Sequence, residues 1–401
     1  MAEQYVNDHG SGPPSSGTLA EHYVKTEVNE NGSGPPSSGT TPASHDSPED
    51  SSAGSSMDDV AEQRLYVISR SGSGEAMYLV LNDDLTDFVS YKVKIEHWTQ
   101  IKDLVDFGVA VVRNNVYIIG GYDRGKAKHT NKVHRYDVSE LRWSECSPMH
   151  YGRSKFGVGV VDDCIYISGG ERNGGKVTGS CEMYNMNTGV WMKAGMLISP
   201  RFNHSCTVDG NEVYCAGGFH GNQSNSNLWV YEEYKWSELD QDYPHKLPVP
   251  LDRFCAITVG GTFYFIGGVS GRVSTRTGKA RFFTQSDMFS YTSSISIDQD
   301  ITEASDMLSP WNYRLPSLIH ARHSAGAVLI GKKIYVIGGS NLETEQSVRM
   351  VECFDLKRRR WKEDFRFRKG DVSNVACAIL KVPNIPESER RLTHKLKWVM
   401  W

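Results

Sequence analysis

Residues Asn115–Gly121 read Asn-Val-Tyr-Ile-Ile-Gly-Gly, and this stretch decides the fold. It recurs with drift as Ile-Tyr-Ile-Ser-Gly-Gly at Ile165–Gly170 and Val-Tyr-Cys-Ala-Gly-Gly at Val213–Gly218. Two further copies are Phe-Tyr-Phe-Ile-Gly-Gly at Phe263–Gly268 and Ile-Tyr-Val-Ile-Gly-Gly at Ile334–Gly339. Each copy is a short run of β-branched and aromatic residues stopped by paired glycines. That pattern suits a strand buried on both faces, followed by backbone that must carry no side chain. Gly120, Gly169, Gly217, Gly267 and Gly338 lie 49, 48, 50 and 71 residues apart. A strand-built period of about 50 implies a ring of repeated sheets.

Outward from the glycine pairs, an aromatic and a Trp recur at a fixed offset: Tyr136–Trp143, Tyr184–Trp191 and Phe354–Trp361, with Tyr231–Trp236 shorter. Each unit therefore offers four strands. Turn-forming residues fall between the first two, as at Asp209-Gly210 and Gly260-Gly261. The Trp and Tyr bodies suit packing between neighbouring units more than ligand stacking. Leu65–Ile68 opens a degenerate first unit in which Ser69-Arg70 replace the glycines. Val375–Leu380 is a first-strand segment with no glycine strand after it, so it is expected to complete that first unit and close the ring.

The expected organisation has three parts: a disordered acidic tail rich in Gly, Pro and Ser (1–60), the repeat domain (61–383) and a C-terminal tail (384–401). The first part holds a duplicated Gly-Ser-Gly-Pro-Pro-Ser-Ser-Gly-Thr, at Gly10–Thr18 and Gly32–Thr40. It is read as a replicated spacer or a doubled linear motif. In the fifth unit, Ser293–Pro310 is a polar, acidic insertion expected in a surface loop. A net charge of −4 gives no overall basic field, so nucleic acid is not the expected partner. No apolar run is long enough to span a bilayer, and the start lacks the features of a secretory signal. The eight cysteines contain no Cys-x-x-Cys pair and are read as reduced core residues, so a cytoplasmic location is expected.

The set of Gly-Gly, Tyr and Trp over residues 61–382 resembles the kelch repeat. The resemblance implies a six-bladed, all-β kelch propeller of four-stranded blades, closed by a C-terminal strand. The structural set is Gly120, Gly121, Gly169, Gly170, Gly217, Gly218, Gly267, Gly268, Gly338, Gly339, Trp143, Trp191, Trp236, Trp311 and Trp361. Function is expected on the face bearing the long loops. After the glycine pairs these offer Tyr122, Arg124, Arg172, Phe219, His220 and Asn341, and between blades Arg153, Arg201, Arg253 and Arg322. In kelch-like proteins, arginines at such inter-blade positions line the channel mouth and hold acidic peptides, which suits the donor fork of guanidinium. The alternative is that each Arg ties blades together through backbone carbonyls. Lys357–Arg360 is read as a solvated turn in preference to a targeting or partner patch.

The resemblance implies a protein-binding module with no cofactor or metal, similar to the substrate-selecting half of kelch-like adaptors of cullin-based ubiquitin ligases. Residues 1–60 are too short and too polar for the BTB domain of those adaptors. An actin- or cytoskeleton-binding propeller is the alternative. An enzyme of the galactose-oxidase or sugar-isomerase type is less favoured, because the histidines (His134, His150, His204, His220, His323) show no ligand pairing in the sequence.

Overall fold

The computed structural model describes residues 62–232, 234–239, 246–292 and 310–383. The two tails and the fifth-unit insertion at 293–309 lie outside the described residues. The chain is an all-β propeller. Its six innermost strands, Gly108–Val112, Gly157–Val161, Ser205–Asp209, Cys255–Val259, Gly326–Ile330 and Val375–Val382, neighbour one another in a closed cycle.

The expectation of a six-bladed propeller of four-stranded blades is corrected: the structure has five blades. Five blades follow the glycine-paired design, and four of these have four strands. In the blade of Gly217-Gly218, strand Gln223–Glu232 pairs with several partners, including Lys246–Leu251 and Val269–Val273, and the sheet reaches eight strands. The remaining place in the cycle is held by a six-stranded closing sheet of different construction. With Ser69-Arg70 in place of glycines, the chain turns straight from Glu62–Ser69 into Ser71–Leu81. The next strand, Phe88–Val105, runs 18 residues and pairs at its end with Tyr122–Asp123. Val375–Val382 completes the sheet by pairing antiparallel with Glu62–Ser69 along its whole length.

The glycine pairs have a common physical cause. The second glycine of each pair donates its N–H to a carbonyl at the entry of the next blade: Gly121 to Arg153, Gly170 to Arg201, Gly218 to Leu251, Gly268 to Arg322 and Gly339 to Val372, at 2.7–2.9 Å. A Cβ on the first glycine would lie 2.4–2.7 Å from that same carbonyl. Both glycines sit at positive φ, so any side chain there adds backbone strain to the clash. The aromatic pairs face each other across the outer strands (Tyr136 and Trp143, Tyr184 and Trp191, Phe354 and Trp361). Trp191, Trp236 and Trp361 donate their indole N–H to carbonyls of the preceding blade or linker, Ser147, Ala194 and Pro316. These residues are structural: they bury large rings and satisfy the polar tip.

A second set of bonds runs around the channel mouth. Two residues after each blade entry stand Asp106, Lys155, Asn203, Arg253 and Ser324, all at φ of 52–56°. This left-handed backbone turns each carbonyl toward the next blade. Lys155 N–H donates to Asp106 O, Asn203 to Lys155, Arg253 to Asn203, Ser324 to Arg253 and Val375 to Ser324. Arg70 N–H donates to Asn374 O and Arg70 O accepts from Asp106 N–H, which closes a collar of seven backbone hydrogen bonds.

Removal of residues 372–401 strips the closing strand and two collar partners, Asn374 and Val375. The truncated protein is expected to lose its cooperative thermal transition; a melt matching that of the full chain contradicts the closure.

Candidate functional site at the channel mouth

The collar rims a cavity of about 760 Å³. Its charged lining is Arg70, Arg124, Lys155 and Arg253 against Asp106 and Asp252. Arg124 is exposed and makes no side-chain hydrogen bond or ion pair among the described residues. Lys155 is half-buried, with Nζ 2.7 Å from Glu171. Arg253 Nε donates to Asp252 at 2.6 Å, and Asp252 is fully buried and also accepts from Ser224. Arg70 donates through Nε and Nη2 to Asn374 Oδ1 and through Nη1 to Phe107 O, while Asn374 Nδ2 donates to Asp106. His323 is buried beside this rim. Burial, then the Arg253 charge, holds it down to about 4, so it is neutral at pH 7. Phe202, Phe219 and Phe282 supply a contiguous apolar wall.

The arginines divide. Arg153, Arg201 and Arg322 are 0%, 0% and 1% exposed and do not reach the channel. Each donates through Nη1 to the carbonyl of its own blade's first glycine: Gly169 at 2.9 Å, Gly217 at 2.7 Å and Gly338 at 3.1 Å. Arg153 and Arg322 also bond Ser180 O and Met350 O, and pair with the buried carboxylates of Glu182 and Glu352. Arg201 has no carboxylate there and stacks on Trp229 at 3.3 Å. Burial pulls all three guanidinium groups below their ordinary range. The expectation that these three bind a partner is corrected: each fastens an entry segment to its own blade. The fourth, Arg253, is not in their register. Leu251 takes their column, and Arg253 aligns with Lys155 and Asn203 on the collar.

Of the loop residues, Arg124 and Phe219 line the cavity, and Tyr122 lines a smaller neighbouring one. The others are engaged locally. Arg172 stacks on Tyr151 at 3.9 Å. The His220 ring hydrogen-bonds the Pro200 carbonyl, and Asn341 caps a turn through Glu343 and Thr344 N–H. Lys357–Arg360 forms an exposed turn capped by Asp355, as expected. Arg70, Asp106, Lys155 and Asn374 were not singled out in the sequence. Aligning the repeats on the glycine pairs places Asp106, Lys155, Asn203, Arg253 and Ser324 in one column, a signal available without coordinates, whereas Arg70 and Asn374 belong to the unit without a glycine pair. All eight cysteines are free thiols, and no helix among the described residues is long and apolar enough to cross a membrane.

Comparison with known proteins agrees with this fold. Residues 107–296 match the KLHDC2/KLHL20/DRC7 Kelch-repeats domain, and residues 321–363 match the Kelch motif. The chain is similar to Kelch-like protein 26 of Danio rerio, at 25% identity over 69% of this chain and 42% of that protein. It is also similar to Kelch repeat and BTB domain-containing protein 12 of Homo sapiens, at 30% identity over 39% of this chain and 28% of that protein. The chain thus spans less than half the length of these relatives. A solved structure described as "Structure of YjhT" shares the fold, with TM-score 0.57 and 12% identity over 76% of this chain and 98% of that one. The chain is a kelch-repeat β-propeller protein.

Loss of either carboxylate-paired arginine strands a buried charge, a change that costs about 3–5 kcal/mol. Arg153→Met and Arg322→Met are therefore expected to lower stability by that order in denaturant unfolding. Arg201→Met, which strands no carboxylate, is expected to cost less. Equal losses in all three contradict the assignment.

Proposed function

We propose that this propeller is a protein-interaction module whose channel mouth takes an acidic segment of a partner. The carrying observation is the excess of cations at one rim, Arg70, Arg124, Lys155 and Arg253 against two carboxylates, with Asp252 fully buried. Several cations around one low-dielectric cavity raise the local potential together. Arg124, exposed and without a side-chain partner among the described residues, is the group most available to an incoming carboxylate. The phenyl wall beside it adds an apolar anchor, so an acidic segment carrying one apolar side chain fits best.

The finer reading is that the module selects substrates for a cullin-based ubiquitin ligase. It rests on similarity to kelch-like proteins, one of which carries a BTB domain in its name.

Affinity purification of the full chain beside an Arg124→Glu, Lys155→Gln double variant tests both levels. Loss of charge-assisted bonds of about 1.5–3 kcal/mol each predicts at least a tenfold drop in captured partner, with an unchanged melting profile. Ligase subunits among the captured proteins support the adaptor role. Capture unaffected by the variant and by added salt overturns the channel-mouth reading.

A further inference from the structure

Four polar side chains meet where the inner strands of two adjacent blades touch, at positions that the other glycine-paired blades fill almost wholly with apolar residues. His204 stands in the column of Phe107, Phe156 and Phe254. Cys206 stands in the column of Val109 and Val158. Cys215 replaces the Ile, Phe or Val found two residues before the other glycine pairs, and Ser168 replaces the Ile found one residue before three of them. Four independent exchanges of core side chains for donor-bearing ones, all converging on one point, are not explained by packing. A core apolar residue exchanged for an unmatched polar one costs stability.

The geometry is that of a ligand set. His204 Nε2, Cys206 Sγ and Cys215 Sγ lie within 4.8 Å of one another. Ser168 Oγ lies 2.8 Å from His204 Nε2, 3.2 Å from Cys215 Sγ and 3.4 Å from Cys206 Sγ. Zn–S and Zn–N bonds of about 2.3 and 2.0–2.1 Å in a tetrahedron place ligand atoms roughly 3.5–3.8 Å apart, so only small side-chain adjustments separate the cluster from coordination. The thiols are held by register, since Cys206 and Cys215 are direct cross-strand partners. The imidazole is held in the required tautomer. The Gly157 amide N–H donates to Nε2 at 3.2 Å, so Nε2 is the unprotonated ring nitrogen, and a bound ion would take over the lone pair that this amide now shares. His204 is 6% exposed and its Nδ1 has no hydrogen-bond partner, which leaves this ring poorly explained as a satisfied core residue.

We infer that His204, Cys206 and Cys215 form a site for a thiophilic divalent ion of the zinc type, with the Ser168 hydroxyl or a channel water as fourth ligand. Two thiolates and one imidazole select a borderline-soft ion over magnesium or calcium. Access is from the cavity, which His204 and Cys206 line. Binding of the ion displaces the protons of both thiols, so affinity rises with pH. The ion would tie the first and second strands of one blade together beside the channel, with Ser168 reaching across from the preceding blade.

The test is cobalt titration of the full chain, freed of metal and kept reduced, with thiol titration to confirm free cysteines. About one equivalent of Co²⁺ is expected to give intense thiolate-to-cobalt absorption with the visible bands of a tetrahedral ion, removed by added Zn²⁺. Cys206→Val and His204→Phe install the residues of the other blades. They should lower cobalt affinity at least 100-fold while keeping the thermal transition. Should either variant fail to fold, protection of Cys206 from alkylation by Zn²⁺ in the unmodified chain, read by mass spectrometry, replaces it. Absence of the thiolate band in the reduced chain, its persistence in a folded Cys206→Val variant, or equal alkylation of Cys206 with and without Zn²⁺ overturns the site.

Discussion

The collar of backbone hydrogen bonds around the channel mouth is the constraint on which the other features depend. It requires Asp106, Lys155, Asn203, Arg253 and Ser324 to hold left-handed backbone without being glycine. Such residues cost on the order of 1 kcal/mol or more each, and they persist only where the surroundings over-determine them. Here the surroundings do so twice. The carbonyl two residues before each of Lys155, Asn203, Arg253 and Ser324 is gripped by a glycine-pair N–H of the preceding blade. At three of the entries a buried guanidinium also fastens the segment to its own blade. The backbone strain and the glycine pairs are two sides of one joint between blades.

The same joint positions the candidate site. Because the collar residues point inward from fixed backbone, their side chains become the rim, and the rim's charge is decided by what occupies that one column. Lys155 and Arg253 make it cationic, while Asp106 is absorbed by Asn374. In the closing sheet, Arg70 replaces a glycine joint with side-chain bonds to Asn374 and to the Phe107 carbonyl. One residue thus completes the collar and adds a charge to the rim. The metal cluster occupies the next layer down, where aromatic side chains in other blades fill the wedge between inner strands.

Much of this was legible in the sequence, and the boundary of legibility is physical. The glycine pairs and the aromatic offsets are local and repeat, so they gave the propeller, the strand order and the closing strand. The count of equivalent blades was not legible. Whether Ser69-Arg70 forms a drifted copy of the joint or a different turn depends on the partner strand at 375–382. The three buried arginines carried a recurring signal whose meaning was ambiguous: an Arg beside a blade entry reads the same whether its guanidinium points to solvent or to Gly169 O. Arg253 was placed with them because it is an arginine, although its offset from Gly268 differs by two residues. His204, Cys206 and Cys215 are close in sequence, but their side chains are seen to share one point only once strands Ser205–Asp209 and Glu212–Ala216 are in register and Ser168 is packed against them.

Amide hydrogen exchange resolved to single residues tests the collar most directly. The amides of Lys155, Asn203, Arg253 and Ser324 lie in partly exposed linkers and that of Val375 opens the closing strand, and each donates into the ring. They are expected to exchange only with global unfolding, at the same free energy as the inner strands. Fast, independent exchange of these amides while the inner strands stay protected would contradict the collar as the element that holds the propeller closed.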